Sequence, residues 1–230
     1  MSFAIVHTEE TVCLVGGAPF AEDLLDEVSE LAPVLAAADG GAAQCLAAGR
    51  HPKAVIGDMD SLDSDLAARL GPGVVHRIAE QDSTDFDKAL RHLSCPLVIG
   101  VGFTGARIDH ELAAYHTLLR RADRLCVLVG ETEVVFLCPP AVSLPTEAGD
   151  TVSLVPLRRS SGRSTGLEWP IDGLVMEPGG RIGTSNRATG PVQIVTDHPG
   201  MLVILPRRRL APLARSLAIL PDRGRWPAPA

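Results

Sequence analysis

Four short apolar runs between residues 34 and 101 each end in a loop rich in glycine or carboxylate, and this repetition limits the possible folds more than any other feature of the chain. Val34–Ala38 runs into Asp39-Gly40-Gly41, and residues 54–56 run into Gly57-Asp58-Met59-Asp60-Ser61. Residues 74–78 lead to Glu80-Gln81-Asp82-Ser83-Thr84-Asp85. Residues 96–101 lead to Gly102-Phe103-Thr104-Gly105-Ala106-Arg107-Ile108-Asp109. The spacing between the runs is helical: an Ala-rich segment after Asp39, residues 63–70 closed by Gly71-Pro72-Gly73, and the stripe Phe86, Ala89, Leu90, Leu93. Such alternation implies parallel βαβ units with helices on both faces of one sheet. Ligands bind such sheets beyond the carboxyl ends of the strands. Asp39, Asp58, Asp60, Asp85, Arg107 and Asp109 are therefore expected along one rim.

So many carboxylates cannot share a small space unless cations hold them, because like charges would force some to protonate. A hard cation resolves the conflict, and Mg²⁺ on phosphate groups is the usual reason to want one. Asp and Gly are also ordinary turn residues, so the argument rests on their accumulation along one edge. Asp85 falls in the first turn of a helix with Lys88 and His92 on its polar face, opposite Phe86, Ala89 and Leu90. Asp85 there also favours the helix dipole, and Lys88 is spaced to pair with it.

The rest of the chain splits in two. Residues 21–31 have apolar positions at one helical face. A helix over residues 110–121 is expected to bury Leu112, Tyr115 and Leu119, and two more strands follow at 125–129 and 134–138. At Pro139-Pro140 helical periodicity disappears until about residue 212. Short alternating runs at 151–157, 166–169, 173–176, 192–196 and 201–205, separated by turn residues, suggest an antiparallel sandwich or small barrel. The expected fold is thus an α/β domain with a mainly parallel sheet over residues 1–140, then a smaller all-β domain over 141–230. Residues from Asp222 onward read as a mobile tail, and Arg207-Arg208-Arg209 as a solvated segment.

With 230 residues, 46% hydrophobic and 21% charged, the composition is that of an ordinary globular protein. A net charge of −7 argues against a nucleic-acid partner. No apolar run reaches membrane-spanning length, and the N-terminus lacks a signal-peptide pattern. Cys13, Cys45, Cys95, Cys126 and Cys138 show no metal-binding spacing, and most sit in or beside apolar runs. They read as buried free thiols, which points to the cytoplasm.

Other motifs are weaker. Gly100-x-Gly102-x-x-Gly105 follows a strand and fits a dinucleotide pattern, yet a bare carboxylate at Asp109 would repel a pyrophosphate held there without metal. No G-x-x-x-x-G-K-[ST] occurs, which excludes a P-loop. Asp58-x-Asp60 echoes aspartyl-phosphate phosphatases, but two βα units precede it and Gly57 intervenes. Thr184-Ser185-Asn186 sits in a glycine-bounded loop, either as turn chemistry or as a polar heterocycle reader.

In order, Ala38-Asp39-Gly40-Gly41-Ala42, Gly57-Asp58-Met59-Asp60-Ser61, Gln81-Asp82-Ser83-Thr84-Asp85-Phe86-x-Lys88-Ala89-Leu90 and Gly105-Ala106-Arg107-Ile108-Asp109-His110 closely resemble the thiamine pyrophosphokinase family. Gly166-Leu167-Glu168-Trp169-Pro170 and Thr184-Ser185-Asn186 fit its C-terminal domain. The resemblance implies an N-terminal α/β domain for Mg-ATP, a C-terminal β-sandwich, and a homodimer with thiamine at the subunit interface. It also implies transfer of the β,γ-pyrophosphoryl group of ATP to the thiamine hydroxyl. By position it implies Asp58, Asp60 and Asp85 as metal ligands, and these three with Arg107 and Asp109 as the catalytic set. It further implies Asp39, Gly40, Gln81, Thr84 and Lys88 as nucleotide-binding residues, and Ser185 and Asn186 as thiamine contacts.

One departure stands out. Some family members carry a tryptophan just after the segment matching Asp197-His198-Pro199, where this chain has Gly200-Met201-Leu202-Val203. Either Trp169 or aliphatic contacts replace that stack, or the acceptor differs. The expected chemistry needs positioning and charge neutralisation. Lys88 and Arg107 would take up charge on the triphosphate, and an aspartate such as Asp109 would orient or deprotonate the hydroxyl. The rivals are a pyrophosphokinase of the same fold acting on another alcohol, such as a hydroxymethylpterin, and a non-catalytic nucleotide or thiamine diphosphate sensor.

Overall fold

The computed structural model describes residues 4–62 and 64–228. The sequence reads residues 3–7 as a short β-rich run; that run and the helix expected over 63–70 each begin outside the described residues. Two compact units are present, Met1–Thr117 with Leu128–Glu131, and Leu118–Val127 with Thr132–Ala230. The chain passes between them at residues 117–118, 127–128 and 131–132.

In order, the first unit contains β1 (Val6–His7), β2 (Val12–Val15), α1 (Glu22–Leu31), β3 (Val34–Ala38), α2 (Gly41–Ala47), β4 (Ala54–Gly57) and α3 (Ser64–Leu70). It continues with β5 (Val75–Arg77), α4 (Asp85–Arg91), β6 (Leu93–Ser94), β7 (Val98–Val101), α5 (Ile108–Arg120) and the end of β8 (Cys126–Val129). The main strands run in the order β7-β2-β3-β4-β5, every pair parallel. All four residues of β2 are fully buried, as a central strand covered on both faces requires. The chain winds from β2 outward to β5 and then returns to place β7 on the other side of β2. The turns after β2 and β7 therefore flank a topological switch point, the usual place for a ligand in such a sheet.

The helices follow their sequence patterns. In α1, Leu24, Leu25 and Val28 are buried. In α4 the buried face holds Phe86, Ala89 and Leu90, and Thr84 caps the helix by accepting the Asp87 N–H at 3.3 Å. In α5 the expectation fails at Leu112, which is 60% exposed; the helix is anchored instead through Ala114, Thr117 and Leu118. The buried stripe of Ala114, Thr117 and Leu118 lies on the opposite side of the helix from the face that Ile108 and Leu112 share.

The second unit contains β9 (Glu133–Leu137), β10 (Ala141–Leu144), β11 (Thr151–Pro156), β12 (Ser160–Leu167), β13 (Val175–Met176), β14 (Gly183–Thr196), β15 (Met201–Pro206) and α6 (Leu210–Ala218). Its strand pairs are antiparallel. The long β14 pairs with β11 through its first half and with β10 and β12 through its second, changing partners around Gly190-Pro191. That change of partner gives the unit its sandwich-like form. Only the second half of β14 alternates cleanly in sequence; the first half, with Gly183, Ser185 and Asn186, reads as loop.

Two expectations about charged and terminal segments are corrected. Arg207–Arg209 forms a single 3-10 turn whose Arg209 donates to Asp150 at 2.7 Å and to Glu147 at 2.8 Å. Its partner Asp150 is buried, so Arg209 is drawn into an ion cluster at the surface, while Arg208 and Glu147 remain largely in solvent. The segment after Pro221 is anchored, with Trp226 Nε1 donating to the Cys138 carbonyl at 2.8 Å. None of the five cysteines forms a disulfide, four of them are buried, and burial pushes the Cys13, Cys45 and Cys138 thiols up to about 12. Thiols so hard to ionise are inert packing groups.

Candidate active site

At the carboxyl rim of the parallel sheet a cleft of about 530 Å³ opens between the turns after β2, β3, β4 and β7 and the start of α4. Its floor is glycine. A Cβ on Gly41 would overlap the Val15 carbonyl, and one on Gly102 would stand 2.7 Å from the Gly16 carbonyl. Gly102 also has φ +74°. At Gly16 and Gly102 no side chain fits, so the bare backbone can approach a ligand closely. Close packing of the β2 and β7 turns is thus what Gly102 serves, while Gly100 makes room for Leu128 and Phe103. Phe103 closes this end, its ring 4.4 Å from that of Phe86.

The chemistry lies on the other side of the cleft. Asp39, Asp58 and Asp85 each bring a carboxylate oxygen within 4.8 Å of the other two. Asp39 sits at φ 36°, in the left-handed region, a strained backbone of the kind found at functional sites. It is 4% exposed, its Oδ2 accepts the Ser61 N–H at 3.1 Å, and its Oδ1 is buried without a hydrogen-bond partner. Met59, at φ 69°, turns the chain between Asp58 and Asp60. Asp85 Oδ1 accepts the Asp58 N–H at 3.1 Å, tying the β4 loop to the first turn of α4. Lys88 is 1% exposed, its Nζ 2.8 Å from Asp58 Oδ2 and 3.1 Å from Asp85 Oδ1.

The electrostatics separate these groups. The Lys88 hydrogen bond, acting against partial burial, holds the Asp58 carboxyl below its ordinary value. Burial pushes Asp39 up, and the Asp85 and Asp58 charges add to this while the Ser61 hydrogen bond opposes it. Burial pulls Lys88 down, but its bonds to the two aspartates outweigh this and raise it. A buried carboxylate oxygen without a donor, beside two more carboxylates, fits a hard cation with oxygen ligands.

The structure brings together most of the residues expected from the sequence, with some regrouping. Asp39, expected among the nucleotide contacts, lies in the carboxylate cluster. Asp60, expected as a metal ligand, is exposed and outside it, with its N–H on Asp58 Oδ1 at 3.2 Å. Gly40, Thr84 and Arg107 line the cleft, and Gln81 hydrogen-bonds Asp58. Arg107 grips Asp109 through Nε at 3.2 Å and Nη2 at 2.6 Å, and both are largely exposed. That grip holds the Asp109 carboxyl below the usual range.

In the second unit, Trp169 and Asn186 meet. The Trp169 N–H donates to Asn186 Oδ1 at 3.2 Å, and Asn186 Nδ2 donates to the Trp169 carbonyl at 2.7 Å. The Asn186 side chain is buried and the Trp169 side is 56% exposed, so the amide fixes where the indole is presented. Ser185, at φ 61°, lies at a bulge in the β11–β14 ladder, its N–H on Ser153 Oγ at 2.9 Å.

Sequence reasoning missed Gly16, Gly17, Ser61, Phe103 and His110, all of which line the cleft. The Gly16-Gly17 pair after an apolar run was a usable signal; that β2 lies beside β7 was not. It also missed Glu80, which orders the loop into α4 by accepting the Asp82 N–H at 2.8 Å and Arg91 Nη2 at 2.7 Å.

Comparison with known proteins agrees with this geometry. Residues 25–129 match the family model described as "Thiamin pyrophosphokinase, catalytic domain", and residues 141–201 match "Thiamin pyrophosphokinase, vitamin B1 binding domain". Thiamine pyrophosphokinase 1 of Arabidopsis thaliana is 29% identical over 154 residues, covering 59% of this chain and 58% of the relative. Thiamine pyrophosphokinase 3 of Oryza sativa subsp. japonica is 27% identical over 165 residues, covering 63% and 61%. The chain thus spans less than two thirds of the length of these curated relatives. The fold is shared with thiamin pyrophosphokinase from Candida albicans, at a TM-score of 0.72 and 15% identity over 86% of this chain and 89% of that one. It is shared also with that from Geobacillus thermodenitrificans, at 0.68 and 24% over 85% and 96%. With both family models matched in order across most of its length, the chain belongs to the thiamine pyrophosphokinase family.

Proposed function

We propose that this protein transfers the pyrophosphoryl group of ATP to the hydroxyl of thiamine, giving thiamine diphosphate and AMP. The observation that carries this reading is the cluster of Asp39, Asp58 and Asp85, with the donorless Asp39 oxygen, beside a glycine-floored cleft at the switch point of a parallel sheet. Residues 1–140 would serve Mg-ATP and residues 141–230 thiamine, in keeping with the two family matches.

Asp39, Asp58 and Asp85 would hold Mg²⁺, with Asp60 on the same loop as a further ligand from the solvent side. When bound, that ion neutralises the triphosphate and makes the β-phosphorus a better electrophile. The thiamine hydroxyl oxygen bonds to the β-phosphorus as the bond to the α,β-bridging oxygen breaks, and AMP leaves with that oxygen. Backbone at Gly16, Gly17, Gly40 and Gly102 lies close to the phosphates, and Thr84 and Gln81 orient them. Arg107 takes up charge at the cleft wall. Asp109, weakened as a base by Arg107, orients the attacking hydroxyl, whose proton passes to solvent; a loose transition state asks for little more. Trp169 supplies an aromatic face for thiamine, set by Asn186, with Ser185 beside it.

The proposal includes a homodimer. Trp169, Val175 and Ile182 in the second unit, and Ile108 and Leu112 in the first, are apolar side chains left in solvent. It also places the enzyme in the cytoplasm, where five cysteines outside any disulfide persist. Among the described residues no helix is long and apolar enough to cross a membrane. The test is chromatography of nucleotides after incubation with Mg-ATP and thiamine. AMP formed in step with thiamine diphosphate is expected; ADP with thiamine monophosphate, or phosphate alone, overturns the assignment.

A further inference from the structure

We propose that Lys88 is a built-in counterion of the carboxylate centre, fixing the spacing of Asp58 and Asp85 and limiting the nucleotide-free site to one divalent cation. The inference rests on the metal reading above. A lysine that binds phosphate must reach the substrate, and Lys88 does not. It is 1% exposed and stands behind Asp58 and Asp85, which line the cleft while it does not. Its ammonium is engaged by Asp58 Oδ2 at 2.8 Å and Asp85 Oδ1 at 3.1 Å. Its backbone is fixed on both sides, the N–H on the Thr84 carbonyl at 2.9 Å and the carbonyl 2.7 Å from His92 Nδ1.

The charge count gives the stoichiometry. The three clustered carboxylates and one ammonium carry two net negative charges, matched by one divalent ion, while the charge of the exposed Asp60 is screened by solvent. The buried Asp39 Oδ1, still without a donor, is the oxygen that ion would satisfy. Without Lys88 the centre would hold three like charges within 4.8 Å of one another. Such a cluster binds a cation more strongly but keeps its shape less well when empty.

The test uses the full chain without nucleotide, titrated with Mn²⁺ while free Mn²⁺ is followed by electron paramagnetic resonance. The wild-type protein should bind one Mn²⁺ per chain, displaced by Mg²⁺. Two per chain overturns the counterion inference alone, whereas none overturns the metal reading and this inference with it. Lys88→Met should bind Mn²⁺ about tenfold more tightly, since a repelling charge is gone. Its melting temperature should fall in chelator and recover with Mn²⁺. Unchanged Mn²⁺ affinity with a raised KM for ATP would make Lys88 a phosphate ligand. Weaker Mn²⁺ binding without thermal recovery would make it merely structural. Either result overturns the proposal. Lys88→Arg keeps the charge and should keep one-to-one binding, so the wild-type and Lys88→Arg titrations decide even if Lys88→Met does not fold.

Discussion

The Cβ that Gly57 lacks would stand 2.8 Å from Cβ of Asp39, and 3.0 Å from Oδ1 of Asp85. The last residue of β4 thus has to be glycine for carboxylates from two neighbouring elements to close on Asp58. Gly57→Ala should keep the fold at a cost of about 1–3 kcal/mol, the usual range for overpacking. It should lower Mg-dependent turnover by much more than it lowers stability. Circular dichroism melting alongside kcat at saturating ATP measures both, and a variant as active as wild type would show that the cluster tolerates expansion.

Asp39 carries the donorless oxygen and a carboxyl raised chiefly by burial. A carboxyl raised on folding adds stability below its unfolded value, and that contribution is lost as pH rises through its folded value. At neutral pH and without metal, Asp39 therefore strains the fold. Asp39→Asn keeps an acceptor for the Ser61 N–H and removes the charge. Its metal-free melting temperature should rise by a few degrees, at about 2–4 °C per kcal/mol for a chain of this size. Its Mg-dependent turnover should fall roughly a hundredfold, as for loss of one oriented electrostatic group. A lower metal-free melting temperature would count against the strain.

Asp150 behaves in the opposite sense. Burial acts to raise it, but the Glu147 N–H at 2.8 Å, Arg209 at 2.7 Å and Arg208 outweigh this and hold it below its ordinary value. A lowered carboxyl stabilises the fold above its unfolded value, about 3.9, and that stability is lost as pH falls through the lower folded value. Asp150→Ala, which leaves the largely buried Arg209 with the exposed Glu147 as its acidic partner, should destabilise by about 1–3 kcal/mol at neutral pH. The gap to wild type should narrow as pH falls below about 4. Urea unfolding at a series of pH values measures this; a gap independent of pH would place the effect elsewhere.

On the proposed function, Asn186 acts on thiamine through Trp169. Asn186→Ala removes both bonds to the Trp169 backbone and should raise the KM for thiamine about tenfold, the equivalent of one to two hydrogen bonds. The KM for ATP should stay within about twofold, because sites without shared partners act almost independently. Equal effects on both substrates would mean that the second unit has lost its fold, not the pose of the indole.

What could be read from the sequence was local in origin. The stripe Phe86, Ala89, Leu90 and the full-length apolar runs of β3 and β7 follow from backbone periodicity, which any window of a dozen residues displays. The aspartates at the ends of β3 and β4 were visible for the same reason, and so was the change of texture at Pro139-Pro140. The family motifs added an expected role for each residue. What only the tertiary structure decided depends on groups far apart in the chain. Asp39 joins the metal-type cluster because the Ser61 N–H, 22 residues on, draws it in. Lys88 turns inward because Asp58, 30 residues before it, shares its ammonium. The switch point beside β2, the exposure of Leu112, the bulge at Ser185 and the ion cluster of Asp150 with Arg209 are of this kind. Burial of a charge is favourable only once its partners are in place, and no local pattern records which distant partners those will be.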